Sequence, residues 1–122
     1  MTVTDPTFWR ATCAALPGAT RDIKWGDVEV WSVGGKMFSL HGLTRGRISF
    51  KVDAARFLEL TDLPGVAPAP YLARHHWVAL DHAGVLDNET LAALLTNAYR
   101  LVRAKLPARL RNGLPELPRE DQ

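Results

Sequence analysis

Apolar residues recur at helical spacing in three stretches of the chain. The first stretch follows Asp5-Pro6, a pair that favours a helix start because Asp caps free N–H groups and Pro suits the first helical position. We expect this helix to end at Leu16-Pro17-Gly18. Its predicted buried stripe consists of Phe8, Ala11, Thr12, Ala15 and Leu16.

Two further helices are predicted to begin at aspartates. Asp53 caps a short helix that ends at Leu63-Pro64-Gly65, and Asp87 opens the longest helix, which Pro107 ends. The residues predicted to face inward in the short helix are Ala54, Phe57 and Leu58. Those of the long helix are Leu91, Leu94, Leu95, Ala98 and Val102.

Between the first two helices the pattern favours a three-stranded antiparallel meander. Val28–Val33 is rich in β-branched and aromatic residues and is a predicted strand. Gly34-Gly35 is a predicted two-residue turn, because such turns need positive φ and glycine adopts it without steric cost. The resulting register pairs Trp31 with Phe38 and Glu29 with Leu40.

A second hairpin is predicted to return through Thr44-Arg45-Gly46 to a strand over 47–52. Its register places Leu40 opposite Phe50 and agrees with the first hairpin on a single apolar face. The predicted core face carries Trp31, Phe38, Leu40, Ile48, Phe50 and Val52. The predicted solvent face carries Met37, Ser39, His41, Arg47, Ser49 and Lys51.

A further strand is predicted at His76–Leu80, after a rigid connector with three prolines in residues 64–71. The order of elements predicts an α+β fold, an antiparallel sheet with helices packed on one face. We expect a single domain over residues 1–108 and a polar, flexible tail over residues 109–122.

The composition favours a soluble protein with its own hydrophobic core. Of the 122 residues 47% are hydrophobic, and the single cysteine excludes an intrachain disulfide and favours a reducing compartment. No apolar run approaches the roughly 20 residues that a membrane span needs, and the N-terminus lacks a signal-peptide pattern. We therefore expect a cytoplasmic protein that does not associate with membranes.

Positive charge is concentrated in two blocks. The net charge is only +2, from 15 Lys and Arg against 13 Asp and Glu. Residues 36–51 nevertheless carry four cations and residues 98–111 carry five, with no acid in either block. If the blocks meet in space, they form a basic face typical of an anion or nucleic-acid binder.

The usual catalytic and metal-binding patterns are absent from the sequence. The four histidines lack metal-ligand spacing, and no serine stands in a Gly-x-Ser-x-Gly elbow. Cys13 lies inside the first predicted helix, where a small buried hydrophobe is the expected role. We therefore expect no metal, no cofactor and no enzymatic activity. An enzyme would require His41 or His76 beside a carboxylate in a closed pocket.

Two binding hypotheses follow from the charge pattern. The first is DNA binding, in which basic residues on a β-hairpin wing and near the end of the last helix contact phosphates: Lys36, Arg45, Arg47, Lys51, Arg100 and Arg103. The alternative is a groove for a small anionic ligand or a protein partner, lined by Lys36, Tyr71, His76 and Trp77. Trp77 also suits a purely structural role beneath the proline-rich connector.

Several motifs together resemble the MmcQ/YjbR-like family of small bacterial proteins. They run in order over about residues 6–108 and include Gly34-Gly35-Lys36-Met37-Phe38, Pro68-Ala69-Pro70-Tyr71 and His76-Trp77-Val78. The resemblance implies a frataxin-like (CyaY-like) α+β fold, described as a double-wing arrangement, and DNA binding. It does not imply the iron chemistry of frataxins, which needs an acidic helix that this chain lacks. Trp31 stands where the family often has Tyr.

Overall fold

The computed structural model describes residues 6–117 and contains helices at both ends of a β-rich segment. The elements in chain order are α1 (Thr7–Ala14), β1 (Ala19–Lys24), β2 (Val28–Val33), β3 (Lys36–Gly42), β4 (Ile48–Lys51), α2 (Ala54–Thr61), β5 (Val66–Pro68), a 3-10 turn (Ala73–His75), β6 (Trp77–Leu80), α3 (Asn88–Ala104) and α4 (Ala108–Arg111). The strands form one antiparallel sheet in the order β1-β2-β3-β4-β6-β5. The predicted α+β class is confirmed.

The main core lies between one face of the sheet and helices α1, α2 and α3. Its largest members are fully buried: Trp9, Phe38, Phe50, Leu95 and Tyr99. A smaller apolar cluster covers part of the other face, where Ala69 and Leu72 of the proline-rich connector pack on Trp77. The predicted packing of Trp77 beneath that connector is confirmed.

The predicted helix N-caps at Asp53 and Asp87 are confirmed. The side chain of Asp53 accepts a hydrogen bond from the Arg56 N–H at 3.0 Å, and that of Asp87 accepts one from the Thr90 N–H at 2.7 Å. Asp5 lies outside the described residues. The long helix buries all five residues of its predicted stripe: Leu91, Leu94, Leu95, Ala98 and Val102.

The buried face of α1 is rotated from the predicted one. Trp9 and Cys13 are fully buried, together with Leu16 after the helix. Trp9 offers more apolar area than its neighbour, and its indole N–H donates to Ser39 Oγ at 2.8 Å. The members of the predicted stripe that face solvent instead are Phe8, Ala11 and Ala15. The predicted burial of Cys13 is confirmed.

The buried face of α2 is also only partly the predicted one. Phe57 and Leu60 pack against the core, whereas Leu58 is 70% exposed and Ala54 is exposed. Phe57 and Leu60 are three residues apart, which places them on the same side of a helix.

The register predicted between β2 and β3 is correct next to the turn, where Val33 pairs with Lys36, but a β-bulge shifts it by one residue beyond Ser32. Glu29 therefore pairs with His41 and not with Leu40. Ser32 pairs with Met37 but Trp31 pairs with Ser39, so Phe38 is an extra residue on β3. The predicted pairing of Trp31 with Phe38 therefore fails. A bulge of this kind adds one residue to one strand without ending the ladder.

The second hairpin is shifted by one residue as well. Its loop spans residues 43–46, since the Gly42 N–H donates to the Arg47 carbonyl, and Gly46 has the predicted positive φ of 76°. Leu40 therefore pairs with Ser49 and belongs to the smaller cluster, not to the main core. The prediction placed Ser39 and His41 on the solvent face, but both residues are buried.

Two strands and the C-terminal packing had no clear sequence signal. β1 is an edge strand whose residues are mostly polar and exposed, and β5 is a three-residue edge strand, where Pro68 is tolerated. Of the predicted tail, residues 109–117 are described. They include most of α4, and Leu114 and Leu117 pack against the core.

A buried carboxylate ties α1 to the sheet. Glu29 has no exposed surface and accepts a bidentate pair from Arg10 at 2.7 and 2.8 Å. It also accepts from Arg21 at 2.9 Å and from the Trp31 indole at 3.2 Å. Burial raises the pKa of Glu29, but these hydrogen bonds and the charge of Arg10 outweigh it and hold the pKa at about 2.

Gly34→Ala tests the fit of the hairpin turn against the end of the helical layer. An added Cβ would meet Leu106 Cδ1 at 2.6 Å, and Gly34 has a φ of +58°. We expect the free energy of unfolding to fall by about 2–4 kcal/mol, from steric overlap and left-handed strain together. Gly35→Ala is the matched control, because it adds similar strain at φ +81° with nothing within 4 Å. Equal losses in urea titrations of the two variants would contradict the Leu106 contact.

Glu29→Gln tests the buried carboxylate. At neutral pH the free energy of unfolding should be about 2–3 kcal/mol higher for the wild type than for this variant. The reason is that folding lowers the pKa of Glu29 from 4.5 to about 2. A lowered pKa stabilises the fold above the unfolded value, so the difference should shrink as the pH falls from about 4.5 towards about 2.

Chemical unfolding across this pH range measures the effect. Glu59→Gln, at an exposed position of α2, should change stability by no more than about 0.5 kcal/mol. If the difference in unfolding free energy between the wild type and Glu29→Gln stays constant down to the lowest pH, the ion pairs of Glu29 are not the source of that difference.

Candidate anion-binding groove

A groove of about 470 Å³ lies at the end of the sheet where β3 begins and β4 ends. The 3-10 turn and its flanks form one wall, and the last turn of α3 with the residue after it forms another. The lining combines three lysines with four apolar side chains and one histidine: Lys36, Met37, Lys51, Leu72, His75, Trp77, Val102 and Lys105. We call this the lysine groove.

The backbone explains why the three lysines converge. Lys36 is the first residue of β3, immediately after the glycine turn, and Lys51 is the last residue of β4. Because β3 and β4 are antiparallel, the start of one lies beside the end of the other. Lys105 caps the C-terminus of α3, which packs across β3 and β4.

Lys51 is the most constrained of the three ammonium groups. Its Nζ donates to the His75 carbonyl at 2.8 Å. Its side chain is half-buried, and Trp77 on the neighbouring strand β6 is its pairing partner. Burial lowers the pKa of Lys51, and the positive charge of Lys105 lowers it further.

Within residues 6–117, no carboxylate forms an ion pair with these three lysines. The ion pairs found within residues 6–117 join Glu29 to Arg10 and Arg21, and none involves a lysine of the groove. The groove lining likewise contains no Asp or Glu. Three cations therefore share a partly apolar concavity, and their mutual repulsion favours the binding of an anion.

The residues predicted to contact DNA are divided among separate places. Lys36 and Lys51 line the lysine groove. Arg45 and Arg47 lie in and beside the loop at the opposite end of the β3–β4 hairpin, Arg47 being about 13 Å of extended strand from Lys51.

The arginines of the second basic block face a different depression. Arg100 and Arg103 line it together with Arg111 and Glu116. Arg103 links α3 to the segment that follows α4, since its guanidinium donates to the Pro115 carbonyl at 2.7 Å and to Tyr99 Oη at 2.8 Å. The two basic blocks thus meet in the lysine groove through Lys36, Lys51 and Lys105.

The alternative set of predicted residues overlaps the groove in part. Lys36 and Trp77 line it, but Tyr71 is 99% exposed and does not, and the His76 ring packs against Phe57 at 5.6 Å. His76 has a left-handed φ of 63°, which directs the following residue into β6 and leaves the adjacent His75 on the groove.

Sequence reasoning missed Lys105 as a partner of the two hairpin lysines. The basic block that contains it was recognised, but which of its cations reaches the sheet depends on how α3 packs. The predicted DNA surface contains both Lys36 and Lys51, whereas the predicted ligand groove contains only Lys36, although the antiparallel hairpin places both lysines at the same end of the sheet.

The described residues offer no metal cluster, and the buried histidine lies outside the groove. No group of three or more His, Cys, Asp or Glu within residues 6–117 is arranged to hold a metal ion. The His41 ring packs on Trp9 at 5.3 Å, and burial lowers its pKa. Burial also strongly raises the pKa of the Cys13 thiol, which opposes a role as a nucleophile.

Membrane insertion through a helix has no basis in the described part of the chain. Across residues 6–117 no helix combines the length and the apolar character that crossing a bilayer requires.

Known proteins resemble this chain over nearly all of its elements. A family model described as YjbR matches residues 14–101. The crystal structure of Deinococcus radiodurans protein DR2400, described as a DUF419 domain, is similar with 30% sequence identity and a TM-score of 0.81, covering 93% of this chain and 91% of that one. No curated protein matches. The family match includes Lys36 and Lys51 of the groove, while Lys105 lies beyond it.

Proposed function

The chain belongs to the YjbR family, and we propose that it is a binding module for small anionic molecules held in the lysine groove. The observation that carries this proposal is the convergence of Lys36, Lys51 and Lys105 with no carboxylate partner among the described residues. Surface lysines usually point into bulk water, where like charges are screened. Here three elements of the fold direct them to one concavity.

The charge argument predicts that ligand binding relieves repulsion. Burial lowers the pKa of Lys51 most, and repulsion by the positive charge of Lys105 lowers it further. An anion placed among the three ammonium groups converts that repulsion into attraction. Charge-assisted hydrogen bonds contribute about 1.5–3 kcal/mol each. Lys51 is half-buried, whereas Lys36 and Lys105 are exposed.

The shape of the groove favours a small molecule over a macromolecule. Its volume of about 470 Å³ falls within the range of small-ligand sites. Met37, Leu72 and Trp77 supply apolar wall on the sheet side, and Val102 supplies it on the helix side. The ligand chemistry that matches this lining is an anionic head group attached to an apolar or aromatic body.

Duplex DNA is the competing ligand. It would require the arginine groups to act together with the groove lysines, yet Arg45 and Arg47 lie at the far end of the hairpin and Arg103 is engaged with Pro115. A duplex reads a continuous basic surface, and its binding weakens steeply with salt. The dispersal of the arginines argues against duplex DNA as the ligand, whereas the convergence of the lysines favours a small anion.

Naphthalenesulfonate is a suitable probe because it joins one anionic group to an aromatic body. We expect it to bind and to shift the NMR signals of the Met37 methyl and the Leu72 methyls. The double variant Lys36→Gln plus Lys105→Gln should weaken binding about tenfold or more, since two charge-assisted contacts are lost. The matched control, Arg45→Gln plus Arg47→Gln, removes the same charge elsewhere and should change the affinity less than about twofold.

A titration with a short DNA duplex under the same conditions separates the two readings. Duplex binding that depends on Arg45 and Arg47, together with no naphthalenesulfonate shifts in the groove, would overturn the proposal in favour of DNA. Equal losses of sulfonate affinity in both double variants would also contradict it, because a site-specific anion contact predicts unequal effects.

A further inference from the structure

The lysine groove presents N–H donors from three different elements of the fold. Lys36 reaches it from the start of β3, Lys51 from the end of β4 and Lys105 from the end of α3. The Lys51 ammonium group gives one of its N–H bonds to the His75 carbonyl at 2.8 Å, which leaves two N–H bonds for a ligand. An anion in the groove is therefore surrounded by donors on three sides.

We propose that the ligand of the lysine groove is a small phosphomonoester, in which a dianionic phosphate group is attached to an apolar or aromatic body. This inference rests on the proposed function and narrows its anionic group to a doubly charged one with three terminal oxygens. Each of those oxygens can accept from a different lysine. A carboxylate has only two oxygens and leaves one of the three lysines without a direct contact.

The charge of the groove favours a dianion over a monoanion. The charged and titratable side chains of the lining are Lys36, Lys51, Lys105 and His75, and the lining has no Asp or Glu. A monoanion leaves two of the three ammonium charges without a counter-charge, whereas a phosphate dianion leaves one. Because the attraction grows in proportion to the charge of the ligand, the second negative charge strengthens binding.

The three lysines also suit the shape of a phosphate group. Lysine carries a compact ammonium group on a flexible four-carbon stem. The hydrogen bond to the His75 carbonyl holds Lys51, while the exposed side chains of Lys36 and Lys105 are able to adjust to a tetrahedral group.

The apolar part of the lining favours an organic phosphate over the free phosphate ion. Met37 and Leu72 pack on Trp77 at one side of the groove, and Val102 of α3 lies at the other. Inorganic phosphate leaves this surface in contact with water. A phosphomonoester covers it with its body and gains the free energy of apolar burial.

Two probes of the same shape and different charge test the proposal. Naphthyl phosphate and naphthyl sulfate share the ring and the three terminal oxygens, but the phosphate loses a second proton at a pH of about 6 and the sulfate stays a monoanion. We expect the full chain to bind the phosphate about tenfold more tightly than the sulfate at a pH of about 8. This ratio should fall to about twofold at a pH of about 5. The ratio is measured because a change in the charge of His75 or of the lysines acts on both probes.

Phosphorus NMR of bound naphthyl phosphate gives an independent readout. A dianion that binds tenfold more tightly than its protonated form has its second pKa lowered by about one unit in the complex. The phosphorus signal of the complex should therefore titrate about one pH unit below that of the free probe.

Lys36→Gln removes one cation from the groove and should reduce the preference for phosphate over sulfate about threefold at a pH of about 8. The matched control is Lys24→Gln, which removes the same charge from an exposed position of β1 outside the groove and should leave the preference unchanged. Inorganic phosphate should compete with naphthyl phosphate but bind about tenfold more weakly.

Three outcomes would contradict the proposal in different ways. Equal affinities for naphthyl phosphate and naphthyl sulfate at both pH values, with naphthalenesulfonate still bound in the groove, would overturn the phosphomonoester inference alone. Inorganic phosphate that binds as tightly as naphthyl phosphate would overturn the role of the apolar body. A groove that binds none of the aromatic probes would overturn the proposed function together with this inference.

Discussion

The β-bulge at Phe38 determines which side chains the sheet presents to its helices. One extra residue shifts the pairing of β3 with β2, so that Ser39 follows Phe38 into the helix-facing layer. A buried hydroxyl there must be satisfied, and it is: the Trp9 indole donates to Ser39 Oγ at 2.8 Å, and Ser39 Oγ donates to the Ser49 carbonyl at 2.9 Å. This chain of hydrogen bonds links α1, β3 and β4 and fixes the rotation of α1.

The lysine groove depends on the same arrangement. Because β3 and β4 pair antiparallel through Ser39–His41, the start of β3 with Lys36 and the end of β4 with Lys51 lie at the same end of the sheet. The core positions α3 across these strands, so its last turn delivers Lys105 to the same place. The packing of the core thus holds like charges close together. Such an arrangement costs stability unless a ligand offsets it, and strained electrostatics of this kind cluster at functional sites.

Much of the architecture could be predicted from local signals, whereas the register and the site could not. The Gly34-Gly35 turn, the Asp53 and Asp87 caps and the stripe of α3 depend on short-range chemistry that the sequence displays directly. The bulge places Ser39 next to Trp9, a residue 30 positions away in sequence, and no pattern within the hairpin indicates this contact. The predicted sheet faces are therefore reversed for three residues. Ser39 and His41 face the helices, and Leu40 faces the opposite side of the sheet. Likewise, Lys105 joins the groove only through the tertiary packing of α3.

The pKa of Lys51, followed through the NMR signal of its Cε during a pH titration, tests the central claim most directly. Burial of Lys51 and the positive charge of Lys105 should place this pKa below the ordinary value for lysine in the free protein. Saturation with naphthalenesulfonate, which adds a negative charge among the lysines, should raise it, and Lys105→Gln should raise it in the free protein. A Lys51 pKa that neither the sulfonate nor the removal of Lys105 changes would contradict the account.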